Sequence, residues 1–204
     1  MFADFSFTDI VILIFVLLVS MTVHEFSHAL AGYKLGDATA REQGRLSLNP
    51  LRHIDPLMTV ALPVITLVIF HVPILAAKPV PFNTARVKYE EYGAAMLAAA
   101  GPLSNLALAI VAALLLHLFP LNSLTGDVLS TFVILNVALF VFNFIPIPPL
   151  DGSRVLYAFA PESIRRVMEM IEPFGFFVIF GLILIGGFGD ILLRINEMVL
   201  NLLP

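Results

Sequence analysis

Long apolar segments alternate with short polar connections along the 204 residues of this chain. Each apolar segment approaches or exceeds the length of about 20 residues that a helix needs to cross a lipid bilayer. The segments cover residues 7–35, 57–77, 89–119, 128–145 and 174–189, and an amphipathic tail follows at residues 191–203. The pattern therefore predicts an all-α, polytopic membrane protein with about four or five transmembrane helices.

The second segment, residues 57–77, differs from the others. It contains Pro63 and Pro73, and a proline inside a helix removes a backbone donor and disturbs a straight course. It also joins two connections rich in Lys and Arg, residues 34–55 and 78–88, which the positive-inside rule places together on the cytoplasmic side. We therefore predict that this segment is a re-entrant hairpin or a broken helix that does not cross the membrane.

The polar connections predict two smaller elements. Residues 34–55 contain turn-forming glycines and end near Asn49-Pro50, which favours a small β-like loop region of short paired strands. Residues 161–173 are bounded by prolines and carry solvated charges, which predicts a short surface helix. The connection at 120–127 has no Lys or Arg, so we expect it to lie outside the cytoplasm.

Composition narrows the class of protein. Hydrophobic residues make up 59% of the chain and charged residues only 13%, whereas a soluble domain carries about 25% charge. The length predicts a single domain, residues 1–204. The absence of a basic cluster argues against nucleic acid as a partner. The absence of cysteine excludes disulfides and thiolate metal sites, so any metal ion must be bound by His, Asp or Glu.

A candidate metal-binding motif, His24-Glu25-Phe26-Ser27-His28, interrupts the first apolar segment. Ionisable side chains at membrane depth are costly, so their presence indicates a functional role. On a helix, positions i and i+4 share one face, and both imidazoles can therefore bind one Zn²⁺ ion. Glu25 is suited to act as a general base on a water molecule that the metal activates.

A catalytic zinc site usually has three protein ligands, so a third is needed. We favour Asp151, which follows a proline-rich, helix-ending run and precedes Gly152, although its alternative role is to cap a helix over residues 152–159. Other candidates are His53 and Asp55, which lie in a polar loop and could reach the metal, and His71 and His117, which we expect to pack or to line a helix end.

Three motifs occur in an order that resembles the site-2 protease family of intramembrane zinc metalloproteases. They are the His24–His28 motif, Ala100-Gly101-Pro102-Leu103-Ser104-Asn105, and the run from Asn143 through Pro146 to Leu150-Asp151-Gly152. The resemblance covers about residues 10–155, which we take as the catalytic core, with accessory helices at about 161–204. It is closest to the compact bacterial or archaeal type without a PDZ domain.

The resemblance implies that His24, His28 and Asp151 bind one zinc ion and that Glu25 is the catalytic acid and base. It implies cleavage of transmembrane protein or peptide substrates within the bilayer, as in regulated intramembrane proteolysis. We expect two helices to run parallel: the one that carries the HExxH motif, His24–His28, and the one that leads to Asp151. The site is expected toward the cytoplasmic side. The expected location is the inner membrane of a prokaryotic cell.

Two asparagines in apolar segments, Asn105 and Asn143, have two alternative roles. They could hydrogen-bond between helices, or they could orient the substrate backbone and stabilise the oxyanion. The small residues at 93–101 favour close packing against the metal-binding helix.

A zinc or proton-coupled transporter is the rival class, since transporters also bury histidines and carboxylates, but no second cluster of metal ligands appears in the sequence.

Overall fold

The computed structural model of the protein describes residues 6–54, 80–184 and 187–204. In these residues the chain is helical. The α-helices are α1 (Phe7–Lys34), α2 (Thr39–Glu42), α3 (Glu90–Leu116), α4 (Leu124–Asn143), α5 (Asp151–Phe159), α6 (Glu162–Ile171), α7 (Gly175–Leu184) and α8 (Phe188–Leu200). Short 3₁₀ turns lie at Pro50–Arg52, Thr84–Arg86 and Glu172–Phe174.

The protein is an integral membrane protein, and four helical stretches are long and apolar enough to cross the bilayer. They are Phe7–Lys34, Glu90–Leu116, Leu124–Asn143 and Glu162–Leu184. This confirms the predicted all-α, polytopic class. The helix predicted within residues 161–173 is present as α6, but it continues through a 3₁₀ turn into α7. The last candidate membrane span therefore begins at Glu162, whereas the apolar segment in the sequence begins at residue 174. The segment 57–77 lies outside the described residues.

Side-chain hydrogen bonds explain where α1 and α4 begin. Ser6 and Asp9 form a reciprocal capping box at the start of α1: the Asp9 carboxylate accepts from Ser6 N at 2.8 Å, and Ser6 Oγ accepts from Asp9 N at 3.2 Å. Ser123 caps α4 by accepting from the backbone N–H of Gly126 at 3.1 Å. These caps fix the ends of α1 and α4 that lie away from the basic connections.

Helix α3 lies at the centre of the described bundle and contacts α1, α4 and α5. Its buried face consists mainly of small residues, namely Gly93, Ala94, Ala95, Ala98, Gly101, Ala109, Ala112 and Ala113. Lipid is as apolar as a leucine side chain, so membrane helices associate through close packing of small residues. The small-residue stretch predicted to pack against the metal-binding helix does so, and it draws α1 and α3 together.

The expected β-like loop region is wrong: between Leu35 and Ile54 the structure has α2 and a 3₁₀ turn, and this stretch contains no strand. Short-range hydrogen bonds from side chains to the backbone explain the difference. The Asp37 carboxylate accepts from Thr39 N at 3.0 Å and Thr39 Oγ1 at 2.5 Å, at the first residue of α2. Asn49 accepts from Leu51 N at 3.0 Å and starts the 3₁₀ turn.

Asp37 also joins two distant parts of the chain. Its Oδ2 atom accepts from the backbone N–H of Asn83 at 2.6 Å, and the residue is only 2% exposed. Burial raises the pKa of Asp37, but the hydrogen bonds from Thr39 and Asn83 lower it further, so the pKa lies below its ordinary value. The ionised carboxylate therefore holds the connection after α1 against the segment that leads into α3.

We expect Asp37→Asn to destabilise the protein by about 1–3 kcal/mol at neutral pH, because an amide leaves buried donors without acceptors. Since the folded-state pKa is depressed, this stabilisation is complete above the unfolded value near 3.9 and is lost as pH falls through the folded-state pKa. Thermal unfolding of the purified protein in detergent, measured across pH, checks this. The exposed control Asp190→Asn should change little, and equal stability of both variants at neutral pH would contradict the prediction.

Candidate metal centre

Helix α1 carries three ionisable side chains within two turns, and all three are buried. His24, Glu25 and His28 are 8%, 7% and 6% exposed, respectively. The two imidazoles are one helical turn apart, as the i and i+4 spacing requires. Both point toward α3 and the start of α5, which bring their partners to them. The HExxH motif therefore faces the interior of the bundle.

Asp151 is brought to the same place by the end of α4 and a proline-containing turn. It is the first residue of α5, and Leu150 is the N-cap residue, so the alternative role of Asp151 as the cap is wrong. A carboxylate in the first turn is favoured by the unpaired N–H groups and the positive end of the helix dipole. A Cβ atom on Gly152 would collide with the Phe144 carbonyl oxygen, so only glycine permits this close approach of α5 to α4.

The three potential ligand atoms lie at the corners of a nearly equilateral triangle. His24 Nε2 and His28 Nε2 are 3.0 Å apart. Asp151 Oδ2 is 3.2 Å from His24 Nε2 and 3.3 Å from His28 Nε2. Tetrahedral zinc with bonds of about 2.0–2.1 Å has ligand atoms roughly 3.3–3.4 Å apart. These three atoms form the one group in the described residues that could hold a metal ion.

The protonation of His28 shows why this triangle suits a cation. His28 Nδ1 lies 2.8 Å from the carbonyl oxygen of Leu97, which can only accept a hydrogen bond, so Nδ1 carries the proton. In the neutral imidazole, Nε2 then presents a lone pair to the centre of the triangle. An Asp151 carboxylate oxygen points to the same centre. Electron-rich atoms so close together repel each other unless a positive charge lies between them.

Gly101 on α3 keeps the space beside these atoms open. A Cβ atom at this position would lie 2.6 Å from His24 Nε2 and closer still to His28 Nε2. Real Cβ contacts of that length do not occur, so any side chain would enter the space that the ligand atoms surround. The donor set of two imidazoles and one carboxylate suits a catalytic zinc ion. The residues present therefore fit the metal.

The asparagines named from the sequence have different surroundings. Asn105 is completely buried, and its Oδ1 atom lies 2.5 Å from His24 Nδ1. Its amide therefore lies behind the imidazole, on the side opposite the other ligand atoms. Asn143 donates from Nδ2 to the carbonyl of Leu139 in its own helix at 3.0 Å. The structure brings Asn105, and not Asn143, into contact with the ligand set.

His53 and His117 are not part of the triangle, although His53 lies near enough to Glu25 to interact with its charge. His53 is 4% exposed, and its Nε2 atom is 2.7 Å from the carbonyl oxygen of Ser47. His117 follows the last residue of α3 and bonds to the Ala113 carbonyl oxygen at 3.1 Å, so it lines a helix end as expected. Asp55 and His71 lie outside the described residues.

The sequence analysis did not predict the roles that Gly101, Ser20 and Asn136 have in this region. Gly101 was expected only to pack, whereas it leaves the space beside the ligand atoms. Ser20 and Asn136 are completely buried and contact Asn105, which contacts His24. An uncharged polar residue inside an apolar helix was the available signal, but such residues are common in membrane helices, where they bond to neighbouring helices.

An integral membrane protein in which two helical histidines and an aspartate converge on one point has the features of a membrane metalloenzyme. Residues 121–186 match the family described as peptidase family M50. The chain is 38% identical over 175 residues to the protein named "Putative zinc metalloprotease YwhC" of Bacillus subtilis, covering 81% of this chain and 77% of that protein. The chain therefore belongs to peptidase family M50, the site-2 protease family, and is a zinc metalloprotease.

More distant relatives agree with this assignment. The chain is 28% identical over 167 residues to "Putative zinc metalloprotease Rip2" of Mycolicibacterium smegmatis, covering 79% of this chain and 62% of that protein. It is also 28% identical over 163 residues to the protein of the same name from Mycobacterium tuberculosis strain H37Rv, covering 77% and 60%. No solved structure matches the chain. Membership of a protease family decides against the transporter alternative.

We expect Gly101→Ala to abolish stoichiometric zinc binding, because its methyl group would enter the space beside His24 Nε2 and His28 Nε2. Metal content of the purified variant, measured by atomic absorption, checks this. Gly181 provides a matched control, since a Cβ atom there meets nothing within 4 Å. Gly181→Ala should retain zinc. A Gly101→Ala protein that binds zinc with unchanged affinity would show that the metal lies elsewhere.

Proposed function

We propose that His24, His28 and Asp151 bind the catalytic zinc ion, that Glu25 carries the proton, and that the enzyme cleaves transmembrane segments of membrane proteins. The observation that supports this most is the triangle of ligand atoms, 3.0–3.3 Å on a side, inside a bundle of apolar helices. A site buried among membrane helices is suited to a substrate that is itself in the membrane.

The chemistry divides between the metal and the protein side chains. When bound, zinc supplies Lewis-acid activation of the attacking water and of the scissile carbonyl group. Glu25 accepts a proton from the water and returns it to the leaving amine nitrogen, so that one carboxylate acts first as base and then as acid. Glu25 is buried, at 7% exposure, beside the proposed ligands. His28 is held by the Leu97 carbonyl and His24 by Asn105, which fixes both ring orientations.

The depth of the site supports access from the cytoplasmic side. At about 1.5 Å per residue, His28 lies roughly 9 Å and His24 roughly 15 Å along α1 from its last residue, Lys34. The basic connection of residues 34–54 follows that end, whereas Asp9 is the charged residue of the first turn. By the positive-inside rule, the end of α1 near the site faces the cytoplasm. In a prokaryotic cell this corresponds to the inner membrane.

The proposed substrate is a transmembrane helix that opens locally. In a helix each carbonyl group is bonded to an N–H group four residues later, so the scissile peptide must leave that hydrogen-bonded conformation before it is attacked. The substrate class is thus a single membrane span that unwinds toward the cytoplasmic end. Cleavage of such a segment is the step that regulated intramembrane proteolysis requires.

We expect Glu25→Gln to lower cleavage of a single-span substrate in detergent or proteoliposomes by at least about 100-fold, the usual contribution of general acid–base catalysis. Zinc content should stay near one ion per chain, because the amide leaves the three proposed ligands intact. Glu197→Gln, an exposed change in α8, is the matched control and should cleave normally. Full activity of Glu25→Gln would show that another group carries the proton.

We expect Asp151→Ala to lose bound zinc as well as activity, since two histidines alone leave the ion with one ligand too few. Equilibrium dialysis against a zinc buffer measures this. Asp127→Ala, in the first turn of α4, should bind zinc as the unchanged protein does. Zinc bound at one ion per chain with unchanged affinity in the Asp151→Ala protein would rule out this aspartate as a ligand.

A further inference from the structure

A cluster of three uncharged polar residues lies directly behind His24. Ser20 of α1, Asn105 of α3 and Asn136 of α4 are each 0% exposed. They come from three different membrane-crossing helices, and an unpaired polar group in such surroundings is costly. We call these residues the polar cluster. Their hydrogen bonds form a chain that ends on the imidazole of His24.

The chain of hydrogen bonds has two amide steps. The Asn136 Nδ2 group donates to the Phe132 carbonyl at 2.9 Å and to Ser20 Oγ at 2.9 Å. The Asn105 Nδ2 group donates to Asn136 Oδ1 at 2.8 Å. Asn105 Oδ1 then lies 2.5 Å from His24 Nδ1. Each amide thus receives a hydrogen bond at its oxygen and donates from its nitrogen.

The Phe132 carbonyl fixes the direction of this chain. A backbone carbonyl can only accept, so the Asn136 side chain must turn its NH₂ group toward Phe132 and its oxygen toward Asn105. The Asn105 side chain must then turn its NH₂ group toward Asn136 and its oxygen toward His24. An acceptor facing Nδ1 requires a proton on Nδ1 of His24.

Reversal of either amide would disturb the metal site. If Asn105 turned over, its oxygen would face Asn136 Oδ1 across a distance of 2.8 Å, and two acceptors would repel each other. Its NH₂ group would also face His24 Nδ1, which favours the tautomer with the proton on Nε2. That proton would point at Asp151 and His28, where the metal is proposed to bind. Asn136 opposes this reversal.

We propose that Asn136, supported by Ser20, is a positioning residue that sets the tautomer of His24 through Asn105 and so reserves Nε2 for the zinc ion. This inference rests on the proposed ligand role of His24. Asn105 is then a positioning residue as well, and its amide does not act on the substrate. An amide that only joined helices would contribute to stability and leave the choice of tautomer unaffected.

The test is a measurement of zinc affinity by competition with a chelator, together with the absorption spectrum of the Co²⁺-substituted protein. In Asn136→Leu the Asn105 amide keeps only its long, 3.5 Å hydrogen bond from Nδ2 to the Ser20 carbonyl against turning over, and we expect zinc to bind about 10–100-fold more weakly, as for the loss of other partners of ligand histidines. Asn196→Leu is the matched control. Asn196 also donates to the carbonyl four residues earlier, at 2.9 Å, but lies in α8.

A second variant separates the tautomer from general stability. A carboxylate has only acceptor atoms, so Asn105→Asp holds the proton on His24 Nδ1 whichever way it is turned. In the Asn105→Asp background the Asn136 oxygen faces a carboxylate oxygen, so Asn136→Leu removes a repulsion and should not weaken zinc binding. The Co²⁺ spectrum of this double variant should match that of the Asn105→Asp protein. Thermal unfolding of each variant reports stability separately.

The outcomes distinguish this inference from the proposed function. Weaker zinc binding in Asn136→Leu that disappears in the Asn105→Asp background supports the positioning role. Unchanged zinc affinity in Asn136→Leu, or an equal loss in both backgrounds, overturns it. Failure of the unchanged protein to bind zinc, or normal zinc binding by the Asp151→Ala protein, instead overturns the proposed ligand set and leaves the hydrogen-bond chain without a metal to serve.

Discussion

The convergence of His24 Nε2, His28 Nε2 and Asp151 Oδ2 is the constraint on which the rest of the structure depends. Three electron-rich atoms about 3 Å apart inside an apolar bundle need a positive charge near them, from a metal ion or from a protonated imidazole. To bring them together, α1 must approach α3 closely and α4 must end at a defined place. The small residues of α3, the proline-containing turn after α4 and the close contact of Gly152 with Phe144 each meet one of these requirements.

The sequence predicted those residues of the candidate site whose convergence depends on local spacing. The helical period places His24 and His28 on one face. The position of Asp151 after a helix-ending run distinguished it from the other acidic residues as the favoured third ligand. The family resemblance added the same ligand set. Helix positions were predictable for a similar reason, since the length of an apolar segment is a local property. The all-α class and the family were confirmed.

The parts that could not be predicted depend on contacts between residues far apart in the chain. His24 and Asn105 are separated by 81 residues, and Ser20 and Asn136 by 116. No periodicity in one helix shows which polar residue of another helix will face it. The loop after α1 was mispredicted for the opposite reason. There, side-chain bonds of Asp37 and Asn49 to nearby backbone groups favoured turns of helix over paired strands.

The position of Asp151 in the chain has a consequence for biosynthesis. The two histidines and Glu25 lie in the first membrane helix, whereas the third proposed ligand follows 123 residues after His28. During synthesis, α1, α3 and α4 therefore leave the ribosome before the ligand set can be completed. A growing chain that has not reached Asp151 has the His24–His28 motif in place but lacks one of the three proposed protein ligands. Competence for the proposed cleavage is thus acquired late, only when the start of α5 has been made.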